Sequence, residues 1–207
     1  MDDWKNSPLR TVALKDEIPV RDLTEQAIAG RLAQSDLSVN RKATKHAKAV
    51  FNMLRPGVIL TDSTIKKMYK DLDLFLLHTG LKKLSVCVRG CAQCCTVAVD
   101  VSYLEAMYIA DSTGVELRLD KTVSKTGGCP FLVDNCCSIY EYRPIACRMF
   151  HTIDHPKYCY LDESHHYFSV NSHPQVGEFQ YSLSTIEAEG YIKGNFDIRQ
   201  WFSTHSK

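Results

Sequence analysis

The sequence lacks the segments that carry a chain into or across a membrane. Its first ten residues, MDDWKNSPLR, are polar and contain no apolar run of the kind found in secretory signals. No window approaches the roughly 18 apolar residues of a membrane span, and the nearest, LDLFLLHTG, is too short. We therefore expect a cytoplasmic protein that has no membrane partner.

A strong excess of charge and the common enzyme motifs are missing too. Residues 1–86 contain 15 Lys or Arg and 10 Asp or Glu, and residues 87–207 contain 10 and 14. Because neither part is strongly basic, we do not expect a nucleic-acid partner. The chain has no Gly-rich dinucleotide loop, Walker A motif or nucleophile elbow. No catalytic residue is therefore assigned, and an activity like that of an Fe–S oxidoreductase remains open.

Cysteine, in contrast, is abundant and clustered. The nine cysteines are Cys87, Cys91, Cys94, Cys95, Cys129, Cys136, Cys137, Cys147 and Cys159. Four of them fall within the stretch CVRGCAQCC. A reducing cytosol keeps disulfides rare, and an odd count with two adjacent pairs fits a disulfide framework poorly. Clustered thiols in that compartment indicate a metal site or catalysis.

The spacing of the cysteines predicts a metal site built from two distant groups. The first group is Cys87, Cys91, Cys94 and Cys95, and the second is Cys129, Cys137 and Cys147. Thiolates are soft ligands that bind zinc, Fe–S clusters or Cu(I). More than four candidate thiolates suit a [4Fe–4S] cluster or two metals better than one tetrahedral zinc. For Cys159 and one member of each adjacent pair, an ordinary buried cysteine is the alternative.

The spacing at Cys87, Cys91 and Cys94 also coincides with the pattern by which radical SAM enzymes hold a [4Fe–4S] cluster. That chemistry belongs to a large βα barrel, whose full form takes about 250 residues. Only 112 residues follow Cys95, and they show no alternation of strands and helices. A short motif outside its structural context is weak, so this reading carries little weight.

Before the cysteines, the apolar pattern predicts helices at 22–35, 40–55 and about 61–79. The second is amphipathic: its apolar residues are Ala43, Ala47, Val50, Phe51 and Leu54, and its basic ones are Arg41, Lys42, Lys45, Lys48 and Arg55. The basic face is either an ordinary solvated surface or a site for a protein partner.

Shorter signals follow in the cysteine-rich part. Ser102 and Glu105 have the spacing of a capping box, and Gly114 stands where a helix C-terminal cap belongs. Residues 134–135 predict a turn, and residues 138–142 (SIYEY) predict a strand.

These patterns predict an α+β fold in which helices dominate. We expect an N-terminal helical segment (1–84), a compact, irregular, metal-stapled cysteine domain (85–160) and a C-terminal extension (161–207). A metal that joined the two cysteine groups would offset the entropy of closing the long loop between them.

Four segments in this order, CVRGCAQCC, VAVDVSYLEAMYIA, CPFL and CCSIYEYRPIACRMF, resemble the YkgJ-type CxxCxxCC family of zinc- or iron-chelating proteins. By this resemblance, the family's cysteine positions are held by Cys91, Cys94, Cys95, Cys129, Cys137 and Cys147. Arg143, Pro144 and Arg148 hold its R-P and C-R positions. Cys87 departs by one residue of spacing from the usual pattern, and Cys136 is an alternative to Cys137.

The resemblance implies a cytosolic metal-binding protein, with an Fe–S cluster as the first expectation and zinc as the second. A similar cysteine cluster in the flagellin lysine methylases implies a protein-modifying or oxidoreductase enzyme as an alternative, and a structural zinc module is another. Arg143 and Arg148 are expected either to offset the negative charge of a thiolate-bound centre or to form surface salt bridges.

Overall fold

The computed structural model describes residues 24–33, 40–55, 60–87, 91–152, 159, 167–169 and 194–203. The helices are α1 (Glu25–Ala33), α2 (Arg41–Met53), α3 (Asp62–His78), α4 (Leu81–Leu84), α5 (Tyr103–Thr113), α6 (Ile145–Met149) and α7 (Ile198–Trp201). Single 3₁₀ turns lie at Gln93–Thr96 and Tyr140–Tyr142. Together with the short strands described next, they give the predicted α+β architecture dominated by helices.

The strands within these ranges form three separate antiparallel pairs. β1 (Asp100–Val101) pairs with β6 (Phe196–Asp197), β2 (Leu132–Val133) with β3 (Cys136–Cys137), and β4 (Phe150–Thr152) with β5 (Tyr167–Ser169). Pairs this short contribute little stability by themselves, so side-chain packing and specific hydrogen bonds hold this part together. No helix in the described ranges is long and apolar enough to cross a membrane.

The first core lies between α2 and α3. The predicted apolar face of α2 is confirmed, since Ala43, Ala47, Val50 and Leu54 are buried. On α3 the buried stripe is Ile65, Met68, Tyr69, Leu72, Phe75 and Leu76. Tyr108, Ile145 and Met149 complete this core from the cysteine-rich part of the chain. The N-terminal helices therefore pack directly onto α5 and α6.

The ends of α2 and α3 follow from local chemistry. The side chain of Asn40 accepts hydrogen bonds from the amides of Lys42 and Ala43, and Thr61 caps α3 in the same way. These bonds satisfy amides that have no partner inside the helix. α3 ends at His78, and Gly80 takes up a left-handed conformation with φ 85°. The predicted helix over residues 61–79 is confirmed, whereas both ends of the first predicted helix, 22–35, lie outside the described residues.

A second core brings the last described segment against the cysteine-rich part. Its buried members are Val101, Ala106, Ile109, Phe131, Ile139, Ile198, Trp201 and Phe202. The indole Nε1 of Trp201 donates to the carbonyl of Val101 at 2.8 Å. Residues 196–202, which the sequence places in a C-terminal extension, thus share a core with the cysteine-rich part.

Two local predictions had opposite outcomes. Asp134 and Asn135 have φ 49° and 57°, and this left-handed pair forms the tight turn that joins β2 to β3. The turn prediction is confirmed. The strand prediction for residues 138–142 is wrong, because Tyr140–Tyr142 form a 3₁₀ turn. Pro144, two residues after this segment, supplies no backbone donor for a strand ladder.

The capping box at the start of α5 is confirmed. The amide of Glu105 donates to Ser102 Oγ at 3.2 Å, and the amide of Ser102 donates to the Glu105 carboxylate at 3.4 Å. Gly114 ends the helix with φ 71°.

We expect Gly114→Ala to lower the free energy of unfolding by about 1 kcal/mol, because a Cβ is strained at positive φ. Urea unfolding followed by circular dichroism measures this loss. The matched control is Gly128→Ala, since neither glycine has a neighbour within 4 Å of an added Cβ and Gly128 lacks the positive φ. Equal effects at the two positions would contradict the explanation.

Candidate metal centre

Short irregular segments bring the two cysteine groups together. Cys94 and Cys95 lie in the 3₁₀ turn Gln93–Thr96, and Cys147 lies in α6. The amide of Cys129 donates to the carbonyl of Cys95 at 2.8 Å. This bond joins the two groups at the backbone, although 33 residues separate them in sequence.

The thiols of the two groups are electrostatic neighbours. Burial raises the pKa of Cys147 well above its usual value, and negative charge at Cys94, Cys129 and Cys137 raises it further. Burial also raises the pKa of Cys129 to about 11, and Cys137 adds to that shift. The thiols of the second group therefore lie within electrostatic range of one another and of Cys94.

The thiols of the first group also shift one another's pKa. Burial raises the pKa of Cys91 to about 12, with further contributions from Cys87 and Cys94. A hydrogen bond between the thiols of Cys94 and Cys95 raises the pKa of Cys94, and burial adds to it. Because these shifts raise the pKa of Cys91 and Cys94 far above neutral pH, the two thiols are protonated there until something that binds thiolates displaces the protons.

Cys87 is held at the edge of the group by β4. Its sulfur accepts a hydrogen bond from the amide of Thr152 at 3.3 Å, and its amide donates to Ser85 Oγ at 3.0 Å. Burial raises the pKa of its thiol, with a smaller contribution from Cys94. Although its spacing departs from the family pattern, Cys87 lies with the other thiols.

Arg143 is the cation that faces the sulfurs. Its positive charge lowers the pKa of Cys87, Cys94, Cys137 and Cys147, in opposition to their burial. The guanidinium lies 3.7 Å from the centre of the Tyr140 ring, and Nε donates to the Tyr140 carbonyl at 3.0 Å. The side chain is thus anchored beside the thiols and positioned to offset negative charge on them.

Arg148, the other predicted cation, extends into the first core. Its guanidinium forms a 2.7 Å ion pair with Asp73 and lies 4.3 Å from the centre of the Tyr69 ring. Its Nε donates to the Arg143 carbonyl at 2.8 Å. These contacts link α6 to α3 and fix the backbone of Arg143. A direct role for Arg148 at a metal remains a prediction.

Sequence reasoning missed Arg199, a buried arginine with 3% exposure. It pairs with the fully buried Asp197 at 3.0 Å and donates to the carbonyls of Cys95, Val97 and Gly127. The only available signal was the charged pair within the apolar stretch FDIRQWF, which gives no indication of its distant partners.

These thiols form a group of neighbours, not a finished coordination shell. Within the described ranges, no three His, Cys, Asp or Glu side chains are arranged to hold a metal ion as they stand. The chemistry of the donors nevertheless fits zinc or an Fe–S cluster, because partly buried thiols from both groups are neighbours, with Arg143 in electrostatic range of Cys147 and Arg199 in range of Cys129. Binding would require side-chain rotation and loss of protons.

The hairpin between β2 and β3 distinguishes the two adjacent cysteines Cys136 and Cys137. Successive side chains on a strand point to opposite faces. Cys137 packs against the second core and adds to the pKa shifts of Cys129 and Cys147. We therefore predict that Cys137→Ser lowers metal affinity by about 10-fold or more and that Cys136→Ser leaves it unchanged. Competition with a chromogenic chelator measures both affinities, and the reverse order would make Cys136 the ligand.

Comparison with known proteins gives one match. Residues 86–172 match the family model described as "CxxCxxCC: Putative zinc- or iron-chelating domain". The resemblance predicted from the cysteine motifs is confirmed over that range, which includes every cysteine and Arg143 but not Arg199. No curated protein and no solved structure matches the chain.

Proposed function

We propose that this protein holds a [4Fe–4S] cluster on thiolates from its two cysteine groups. The match of residues 86–172 to a zinc- or iron-chelating domain supports metal binding at this site. The candidate ligands are Cys87, Cys91, Cys94, Cys95, Cys129, Cys137 and Cys147. The protein would act in the cytosol, where reducing conditions keep the thiols available.

The observation that carries the proposal is that thiols of both groups lie within electrostatic range of one another and of a buried or anchored arginine. Negative charge on Cys94 from the first group and on Cys129 and Cys137 from the second raises the pKa of Cys147, and the charge of Arg143 lowers it. The site offers more thiols than one closed tetrahedral zinc uses. An Fe–S cluster, when bound, supplies one-electron redox chemistry. Arg143 would offset the negative charge of the thiolate ligands, and the cysteines would release their protons on binding.

Zinc is the second candidate, in the role of a structural element. In the residues between α5 and β6 that the structure describes, the cysteine-rich part has two- and three-residue strands and short helices. A small irregular region of this kind gains folding free energy from a bound metal. In this case the exposed basic residues of α2, including Arg41, Lys45 and Lys48, would offer a surface to a protein partner.

Anaerobic purification followed by metal and sulfide analysis distinguishes the candidates. The proposal predicts brown protein with about four iron and four acid-labile sulfide atoms per chain, whose visible absorption bleaches with dithionite. Colourless protein with stoichiometric zinc and no sulfide would support the second candidate. A chain that binds neither after reconstitution would overturn both.

A further inference from the structure

Arg199 contacts the backbone of both cysteine groups. Its Nη2 donates to the Cys95 carbonyl at 3.1 Å, on the side of the first group. The same nitrogen donates to the Gly127 carbonyl at 2.7 Å, two residues before Cys129 in the second group. One planar guanidinium therefore fixes the distance between the segments that carry Cys95 and Cys129.

This contact lies beside the hydrogen bond that joins the groups directly. The Cys95 carbonyl accepts from Arg199 and also from the Cys129 amide at 2.8 Å. Arg199 further donates to the Val97 carbonyl at 3.3 Å. A carbonyl that accepts two donors is fixed in direction, so the peptide that follows Cys95 has little freedom to turn.

The position of Arg199 is itself fixed by buried groups. Asp197 is fully buried, pairs with Arg199 Nη1 at 3.0 Å and accepts from the Val99 amide at 2.7 Å. β6 pairs with β1, and Trp201 packs into the second core. A buried cation is costly unless it is paired and its donors are hydrogen-bonded. Any movement of the Arg199 guanidinium would break these bonds inside the protein, so the arrangement is rigid.

We propose that Arg199 is a positioning residue of the metal centre, which holds the two cysteine groups at the separation that metal binding needs. This inference rests on the proposed function and adds to the centre a segment outside the matched residues 86–172. The guanidinium acts through the backbone and does not touch the metal. Residues 196–202 are then part of the metal domain.

The test replaces the fork-shaped donor without removing its charge. Arg199→Lys keeps the charge that pairs with Asp197, but its single nitrogen cannot also replace Nη2 on the Cys95 and Gly127 carbonyls, because Arg199 uses Nη1 for Asp197 and Nη2 for the carbonyls. The matched control is Trp201→Phe, which weakens the same helix α7 through loss of the bond to Val101 and leaves the contacts of Arg199 in place.

The first measurement is Co²⁺ titration of the metal-free proteins, since the visible spectrum of thiolate-bound Co²⁺ reports the geometry of its ligands. We expect Arg199→Lys to bind Co²⁺ roughly 10- to 100-fold more weakly than wild type, in the range known for groups that orient ligands. Its spectrum at saturation should differ from that of wild type. Trp201→Phe should lower the melting temperature but keep the wild-type spectrum.

The second measurement needs no metal. Hydrogen exchange at the Cys129 amide should be faster in Arg199→Lys than in Trp201→Phe, because only the first variant releases the Cys95 carbonyl. This readout remains informative if wild type binds no metal, a result that would overturn the proposed function alone.

Three outcomes would overturn the inference. One is an Arg199→Lys spectrum at saturation identical to that of wild type, which can be recorded even if this variant folds only with metal. Another is a loss of Co²⁺ affinity in both variants that is proportional to the drop in their melting temperatures. The third is equal exchange of the Cys129 amide in the two variants.

Discussion

Cys94→Ser is expected to abolish stoichiometric metal binding, with a loss of affinity of at least about 100-fold. Cys94 is the thiol that links the two groups, since its negative charge raises the pKa of thiols in both. These thiols are Cys87 and Cys91 in the first group and Cys137 and Cys147 in the second. A serine hydroxyl at this place is a hard donor that replaces a soft thiolate poorly. Metal analysis of protein reconstituted with iron and sulfide, and separately with zinc, measures the loss.

Cys129→Ser should have the same effect from the opposite group, together with a loss of thermal stability in the metal-bound protein. Cys136→Ser serves as the control for both substitutions. If either Cys94→Ser or Cys129→Ser keeps full metal content and stability, a site built from two groups is the wrong description of this protein.

Glu105→Ala should have the largest effect on folding. The carboxylate is 4% exposed and accepts from Tyr69 Oη at 2.9 Å and from the Ile145 amide at 2.7 Å. It also closes the capping box with Ser102. Alanine would leave these buried donors without their acceptor, so we expect a loss of roughly 3–5 kcal/mol in the free energy of unfolding.

Equilibrium unfolding in urea, followed by circular dichroism, measures this loss. Glu116→Ala is the control, because Glu116 is exposed and such a substitution should change stability by less than about 0.5 kcal/mol. A loss below about 1 kcal/mol at position 105 would mean that the carboxylate does not join the N-terminal helices to α6.

The sequence predicted the parts of the fold that depend on neighbouring residues. The period of apolar residues located α2 and α3, and the pair Ser102 and Glu105 located the start of α5. Residues 138–142 were misassigned because apolar and aromatic residues favour a strand only where a neighbouring strand is available to pair with them. In the fold, a 3₁₀ turn occupies that place.

The candidate site was predictable only in part, for a similar reason. Cysteine spacing and the family resemblance identified the two groups, and Arg143 followed from the R-P position. Neither source indicated that Glu105 joins α3 to α6, since its capping-box spacing accounts for only the local half of its contacts. The charged pair at Arg199 did not indicate its acceptors, because the Cys95 and Gly127 carbonyls lie far from it in sequence.

The pairing of Asp100 with Asp197 in β1 and β6 has a consequence for the order of folding. Contacts between residues far apart in sequence form slowly, because a long loop must close first. α2 packs chiefly against α3, the next helix in the chain, so this pair can fold while the chain is still being synthesised. The hydrogen bonds from Arg199 to the Cys95 and Gly127 carbonyls can form only after residues 196–202 have left the ribosome. Metal insertion would therefore follow the synthesis of residues 196–202, and until then the nascent chain carries its thiols unprotected.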